Sequence, residues 1–93
     1  HRQTIDRWTK NIYEVSLRRP HRVLESLVVR REDTREISPT VLQLSAFVLR
    51  KYLNLFSITF DFEHLYSFMQ AVFVEILKNL EQYVQNQRQL KSS

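Results

Sequence analysis

The sequence predicts an all-α fold, a small bundle of about four helices that ends in a long C-terminal helix. The chain has 93 residues with Gly 0, Pro 2 and Cys 0, so the residues that form hairpin turns are almost missing. Apolar residues instead recur every three or four positions along most of the chain, which is the period of an α-helix. A chain of this size forms one domain, so we predict a single helical domain over residues 1–93.

The first predicted helix covers about residues 5 to 18. Its evidence is an apolar stripe at helical spacing, formed by Ile5, Trp8, Ile12 and Val15. Thr4 is placed to cap its N-terminus, and Pro20 ends it because the residue before a proline is pushed out of the α region. Trp8 lies on the stripe, so we expect its side chain to be buried.

The second predicted helix covers about residues 20 to 31, with Pro20 in its first turn. Its apolar stripe consists of Val23, Leu24, Leu27 and Val28. Arg30 and Arg31 would lie in its last turn, where the exposed carbonyl groups favour cations.

The third predicted helix covers about residues 39 to 56. Ser38 is a good N-cap, and Pro39 is a good first residue. Ile37 and Leu42 have the spacing of a hydrophobic staple across this helix start. Nearly every later position is apolar, so more than one face of the helix has to be covered.

The fourth predicted helix covers about residues 62 to 87. Two offset series with a seven-residue repeat predict it, namely Met69, Ile76, Tyr83, Leu90 and Tyr66, Phe73, Leu80, Gln87. At 1.5 Å per residue it is longer than a compact domain of this size needs. The polar residues after Gln87 are expected to fray.

The segment between the third and fourth helices contains the β-branched, alternating residues 57–60. Four such residues without a partner strand cannot form a sheet, so we predict a short extended connection. Asp61 can cap the next helix, and Phe60 can staple onto Leu65. The aromatic side chains of this corner, Phe56, Phe60 and Phe62, are expected to pack inward.

Apolar residues are concentrated in the C-terminal half of the chain. We interpret residues 1–31 as a charged helical hairpin, 32–38 as a polar linker and 39–93 as an apolar helical pair. A four-helix monomer could hardly bury Phe47, Phe68 and Val74 together with the opposite helix faces. The chain is therefore predicted to be oligomeric, since surfaces this apolar rarely stay exposed on a monomer.

The predicted interface lies on the third and fourth helices. Its candidate residues are Phe47, Leu49, Met69, Phe73, Ile76, Leu80 and Tyr83. The hypothesis is a non-catalytic protein-protein interaction or dimerisation module of a multiprotein assembly. The partner is either a second copy of the chain or a different helical protein, and the residues leave both possibilities open.

No residue pattern indicates an enzyme, and we predict no catalytic residue, cofactor or metal. The chain has three histidines and no cysteine, and it lacks a Gly-rich phosphate loop and the usual zinc-protease and hydrolase motifs. His64 lies near Asp61 and Glu63, but one histidine in the first turn of a helix is more often solvated or capping.

A cluster of arginines favours an alternative function, contact with nucleic acid. Its members are Arg18, Arg19, Arg22, Arg30 and Arg31, and the chain has a net charge of +4. Arginine suits phosphate groups well, but Glu14 and Glu25 are interleaved with the cluster, as on an ordinary solvated face. Arg22 and Glu25 also have the spacing of an intrahelical ion pair.

The stretch SPTVLQLSAFVLRKYLNLFSITFDFEHLYSFMQAVFVEILKNLEQYVQNQ resembles the first half of a histone fold. It has a shorter helix, a short extended loop and a long central helix, and the spacing of Phe73, Ile76 and Leu80 to Tyr83 is similar to that of centromeric histone-fold proteins. Two predicted helices precede the resemblance, and no third histone-fold helix follows it. The resemblance implies an obligate heterodimer close to DNA.

The expected location is intracellular, either nuclear or cytoplasmic, without a membrane partner. No uncharged apolar stretch reaches the roughly 18 residues that span a bilayer. The N-terminus does not have the layout of a signal peptide, and the lack of cysteine mildly favours a reducing compartment.

Overall fold

The fold is all-α, as predicted. The computed structural model describes the backbone of residues 2–56 and 62–92, and the side chains of 7–32, 34–56 and 64–92. Within these ranges there are four α-helices, one 3-10 turn and no strand. The helices are α1 (Arg2–Arg18), α2 (Pro20–Val28), α3 (Pro39–Phe56) and α4 (Phe62–Ser92), and the 3-10 turn is Glu32–Thr34.

The N-terminal helix α1 begins earlier than predicted. It starts at Arg2, so Thr4 lies inside the helix and is not its N-cap. The predicted end is confirmed: α1 stops at Arg18, and Pro20 opens α2. Arg19 connects the two helices with φ −138° and ψ 61°, outside the helical region.

The second helix ends three residues earlier than predicted, at Val28. Arg30 and Arg31 therefore follow α2 and do not form its last turn. The cause is Thr34, a fully buried residue whose hydroxyl donates a hydrogen bond of 3.0 Å to the carbonyl of Val28. The chain folds back to make this contact, so part of the predicted linker is a 3-10 turn docked against the bundle.

The third helix has the predicted bounds. The backbone N–H of Val41 donates to the hydroxyl of Ser38 at 3.3 Å, which is the geometry of an N-cap. Pro39 is the first helical residue, where its missing N–H costs nothing. Ile37 and Leu42 are both half-buried against the core.

The fourth helix is longer than predicted. It runs to Ser92, so the polar residues after Gln87, which were expected to fray, continue the helix. Leu80 is its last fully buried residue, and most of the residues beyond it are exposed. The predicted extended connection at 57–60, the cap Asp61, and the side chains of Phe60 and Phe62 lie outside the described residues.

The helix α3 contacts each of the other three helices, as α1 also does. The hydroxyl of Tyr13 donates a hydrogen bond of 3.1 Å to the carbonyl of Leu53. Nearer the other end of α3, the guanidinium of Arg50 donates to the carbonyls of Leu17 at 2.8 Å and Arg18 at 3.2 Å. As residue numbers rise along α1 from Tyr13 to Arg18, the contacting residue numbers on α3 fall from Leu53 to Arg50, so the two helices are antiparallel.

The helices α3 and α4 form an antiparallel pair. The rings of Phe56 and Phe68 stack with centroids 4.5 Å apart where the pair is connected. At the other end, the 3-10 turn that precedes α3 contacts α4, and Arg31 forms an ion pair of 2.7 Å with Glu81. Phe56 is buried, as the sequence predicts.

The buried face of α1 differs from the predicted stripe. Thr9 and Ser16 are buried, whereas Trp8 is 52% exposed. The ring centroids of Trp8 and Tyr66 are 5.9 Å apart. The expectation that Trp8 is a core residue is therefore wrong. The buried side of α1 is thus displaced by about one residue, or roughly 100°, from the predicted apolar stripe.

Candidate functional site

The predicted interface residues separate into three groups in the structure. Leu49, Met69, Ile76 and Leu80 belong to the core of the chain itself, with at most 6% of their surface exposed. Phe73 is half-buried against that core. Phe47 and Tyr83 are exposed, at 68% and 41%. A partner can therefore reach Phe47 and Tyr83 directly, but it can reach the four core residues only if the bundle opens.

Among the described residues, the most extensive exposed apolar surface lies on the side of α3 that points away from the bundle. We call it the outer face, and it consists of Leu44, Phe47, Val48, Lys51, Tyr52 and Leu55. Its five apolar side chains are between 41% and 74% exposed. They recur at helical spacing, so they form one continuous stripe about three turns long, or roughly 16 Å at 1.5 Å per residue.

Two stripes with the same spacing run along α3, and this is why the sequence could not distinguish them. Val41, Leu44, Val48, Lys51 and Leu55 form one, and Leu42, Ala46, Leu49, Leu53 and Phe56 form the other. Each alternates steps of three and four residues. The second stripe is in the core, where only Leu42 is partly exposed. Only Lys51 marks the first stripe as the outer one, since unpaired charges are rarely buried.

Two shallow depressions adjoin the outer face. Phe47, Arg50, Lys51, Asn54 and Leu55 line the first. Tyr52, Leu55, Phe56, His64 and Phe68 line the second, which lies where α3 meets the start of α4. Because Leu55 lines both, the apolar stripe continues into the concave surface between the two helices.

The charge on the outer face is entirely positive. Lys51 and Arg50 are the only charged residues of α3. The guanidinium of Arg50 is engaged by the carbonyls at the end of α1. The ammonium of Lys51 forms no ion pair with any residue that the structure describes, and no carboxylate lines the adjoining depression.

The exposed apolar residues of α4 do not form a comparable surface. Val74, Tyr83 and Leu90 are 56%, 41% and 70% exposed. Val74 lies on a different side of the helix from Tyr83 and Leu90, given 100° per residue. Scattered exposed apolar side chains are common on proteins and do not indicate binding.

The predicted nucleic-acid contacts are all exposed, but they do not act as one group. Arg31 is paired with Glu81 at 2.7 Å. Arg18, Arg19 and Arg22 lie around the corner between α1 and α2, where Arg50 of α3 joins them. Within the described part of the chain, the side chains of Arg18, Arg19, Arg22 and Arg30 form no ion pair. The sequence alone did not reveal that Arg50 reaches this corner.

The molecule has more surface than a compact monomer of its mass. Its radius of gyration is 14.6 Å, against about 12 Å expected for 93 residues. Its accessible surface is 7173 Å², against about 5,700 Å² expected for 11.3 kDa. The long helix α4 contributes to this excess because its last turns extend past the core. This excess of accessible surface area is larger than the roughly 800 Å² that each partner contributes to a standard interface.

Other kinds of site find little support in the described residues. No group of three or more histidines, cysteines or carboxylates is close enough there to hold a metal ion, and His64 is exposed. Asp61 and the side chain of Glu63, which are near His64 in the sequence, lie outside the described residues. Among the same residues, no helix has the length and apolar character required to cross a bilayer.

Comparison with known proteins adds no family to this description. No protein-family model, no curated protein and no solved structure matches the chain. The resemblance to a histone fold therefore stays a prediction from the residues alone.

Proposed function

We propose that this chain is a non-catalytic interaction module that binds a helical protein partner through α3, mainly through its outer face. One observation carries the proposal: five large apolar side chains form a continuous exposed stripe on a helix whose opposite stripe fills the core. Helices that are apolar on both sides are normally covered on both sides, and large exposed apolar patches mark interaction sites. The chain itself covers one side.

Burial would supply the binding free energy. At roughly 25 cal/mol per Å² of apolar surface, covering the five side chains contributes on the order of 10 kcal/mol. The loss of translational and rotational freedom offsets a large part of this gain. Phe47 and Tyr52 are the expected main contributors, because aromatic side chains dominate the energetics of interfaces.

The test is a selection of helical peptides from a displayed library, with the purified chain as the target. Peptides enriched on the wild type should bind Leu55→Glu at least tenfold more weakly. Leu90→Glu is the matched control, since Leu90 is as exposed as Leu55 but lies on α4. It should bind with unchanged affinity. Both variants should unfold in urea like the wild type.

The proposal also predicts where self-association would occur. If the chain dimerises, sedimentation at micromolar concentration should report two copies for the wild type and Leu90→Glu, and one for Leu55→Glu. A monomer that enriches no peptide dependent on Leu55 would contradict the proposed function.

A second candidate is contact with nucleic acid at the corner between α1 and α2. It is supported by the unpaired side chains of Arg18, Arg19 and Arg22 next to Arg50. Binding of a short duplex should then weaken steeply as salt is added, and still more when these three arginines are changed to glutamate. Salt-independent binding, or none, would contradict this candidate.

A further inference from the structure

We propose that the partner on the outer face is an amphipathic helix with a carboxylate in its apolar seam, opposite Lys51, and that it is not a second copy of this chain. The inference rests on the proposed function and specifies the partner of the same surface. Its basis is the position of one cation, which forms no ion pair with any described residue, within an otherwise apolar stripe.

Lys51 lies within the stripe, not at its edge. It occupies the fourth position of the series Val41, Leu44, Val48, Lys51 and Leu55, which has the 3–4 spacing of a coiled-coil seam. A helix packed along this seam would cover Val48 and Leu55 and would therefore cover the residue between them. An ammonium group removed from water is costly unless an opposite charge is paired with it.

Among the described residues, no carboxylate pairs with Lys51 or lines the depression beside it. The helix α3 contains no Asp or Glu, and the depression beside Lys51 is lined by Phe47, Arg50, Asn54 and Leu55 in addition to Lys51. Arg50 adds a second positive charge there, held in place by the carbonyls at the end of α1. The surface is thus apolar and positive, which is complementary to a partner that is apolar and negative.

A second copy of the chain would not satisfy these charges through the same face. In a parallel pair of α3 helices, Lys51 would oppose Lys51. In an antiparallel pair that keeps the seam in register, Lys51 would oppose Val41 or Val48. Either arrangement removes two ammonium groups from water without a carboxylate from α3, so the geometry favours a different protein.

The outer face also sets the size of the partner. The stripe from Leu44 to Leu55 is about 16 Å long, so a helix of three to four turns covers it. Apolar residues at 3–4 spacing match the seam, and one seam position carries Glu or Asp. Like a buried polar residue in a coiled coil, this pair would fix the register and direction of the partner.

The experiment uses a displayed library of designed helices about four turns long. All seam positions are leucine except a central one, which is varied among Glu, Gln, Lys and Ala. On the wild-type chain, Glu should be enriched, and a synthetic Glu peptide should bind about tenfold more tightly than the Lys peptide. On Lys51→Glu the preference should reverse. Lys78→Glu is the control: Lys78 is an exposed lysine of α4, and the preference for Glu should persist.

The possible results distinguish a failure of this inference from a failure of the proposed function. If peptides bind, depend on Leu55 and show no charge preference that Lys51→Glu reverses, the inference fails and the proposed function stands. If sedimentation reports a wild-type dimer that Leu55→Glu disrupts, a second copy occupies the face and the inference fails again. If no peptide depends on Leu55 and the chain is a monomer, both fail. Unchanged urea unfolding of Lys51→Glu would show that a reversed preference does not come from misfolding.

Discussion

The two faces of α3 have similar composition and different surroundings. None of the residues on the inner face has more than 8% of its surface exposed. These residues are Ala46, Leu49, Leu53 and Phe56. The outer face, two residues away along the same helix, has five apolar side chains that are 41% to 74% exposed. The difference comes only from where α1, α2 and α4 pack. Apolar character alone therefore does not distinguish a core residue from a surface residue available to a partner.

The largest expected difference is between two leucines on these faces, Leu53 and Leu55. Leu53 is 0% exposed, so Leu53→Ala should leave a cavity and lower the free energy of unfolding by about 2 to 5 kcal/mol. Leu55 is 74% exposed, and Leu55→Ala should change it by less than about 0.5 kcal/mol. Urea unfolding followed by circular dichroism measures both. Equal losses in the free energy of unfolding for the two variants would show that the two faces do not differ in burial.

A smaller difference is expected between the neighbours Arg50 and Lys51. Arg50→Ala removes two hydrogen bonds from a charged donor to the carbonyls of Leu17 and Arg18, which the end of α1 leaves without helical partners. The side chain is exposed, so we expect a loss of about 1 kcal/mol. Lys51→Ala should be neutral in stability and weaken only partner binding. A neutral Arg50→Ala would contradict the assigned contact.

The hydrogen bond from Tyr13 of α1 to Leu53 of α3 predicts that the stability of the fold depends on pH. Burial raises the pKa of the Tyr13 hydroxyl above its ordinary value of 10.0, so the folded chain favours the protonated form. The stabilisation is complete below pH 10.0 and is lost as the pH rises through the folded pKa. Removing the hydrogen bond to Leu53 in Tyr13→Phe should cost about 1 kcal/mol near neutral pH.

The measurement is the free energy of unfolding of wild type and Tyr13→Phe from neutral pH to above pH 10.0. The gap between the two proteins should narrow at the alkaline end. A constant gap would show that the ionisation of Tyr13 is not linked to folding.

The smallest effect is expected at Ser16, on the buried side of α1. Its hydroxyl has no hydrogen-bond partner among the described residues and is fully buried. Ser16→Ala removes this unsatisfied group and should leave stability unchanged or raise it by up to about 1 kcal/mol. A clear loss of stability in thermal or urea unfolding would indicate a partner for the hydroxyl that the structure does not contain.

Much of the fold could be predicted because local signals agreed with the final packing. Pro20 separates α1 from α2, and Ser38 with Pro39 starts α3 at the predicted residue. These signals act within a few residues, through backbone sterics and caps, so no knowledge of the tertiary contacts is needed. The C-terminus of α2 was predicted less well, because it depends on the buried hydroxyl of Thr34 folding back onto Val28.

The predicted interface residues of α3 lie on two different faces of that helix. Phe47 is exposed as an interface residue should be, whereas Leu49 is enclosed by its own chain. Leu44, Val48, Tyr52 and Leu55 are also exposed, but they were not among the predicted interface residues. Two apolar stripes of equal spacing are equally suited to form a core. Lys51 in one of them was the only local sign that this stripe lies on the outside.

The amino-acid pattern was enough to predict that the chain is helical, where three of the four described helices begin and where two of them end. Which side of each helix is covered depended on the packing of the helices against one another. Periodicity defines a stripe relative to a helix axis, but the rotation of that helix in the bundle depends on how closely its neighbours approach. The buried side of α1, with Thr9 and Ser16, is displaced from its apolar stripe, and the positions of α1 and α2 leave the outer face of α3 in water.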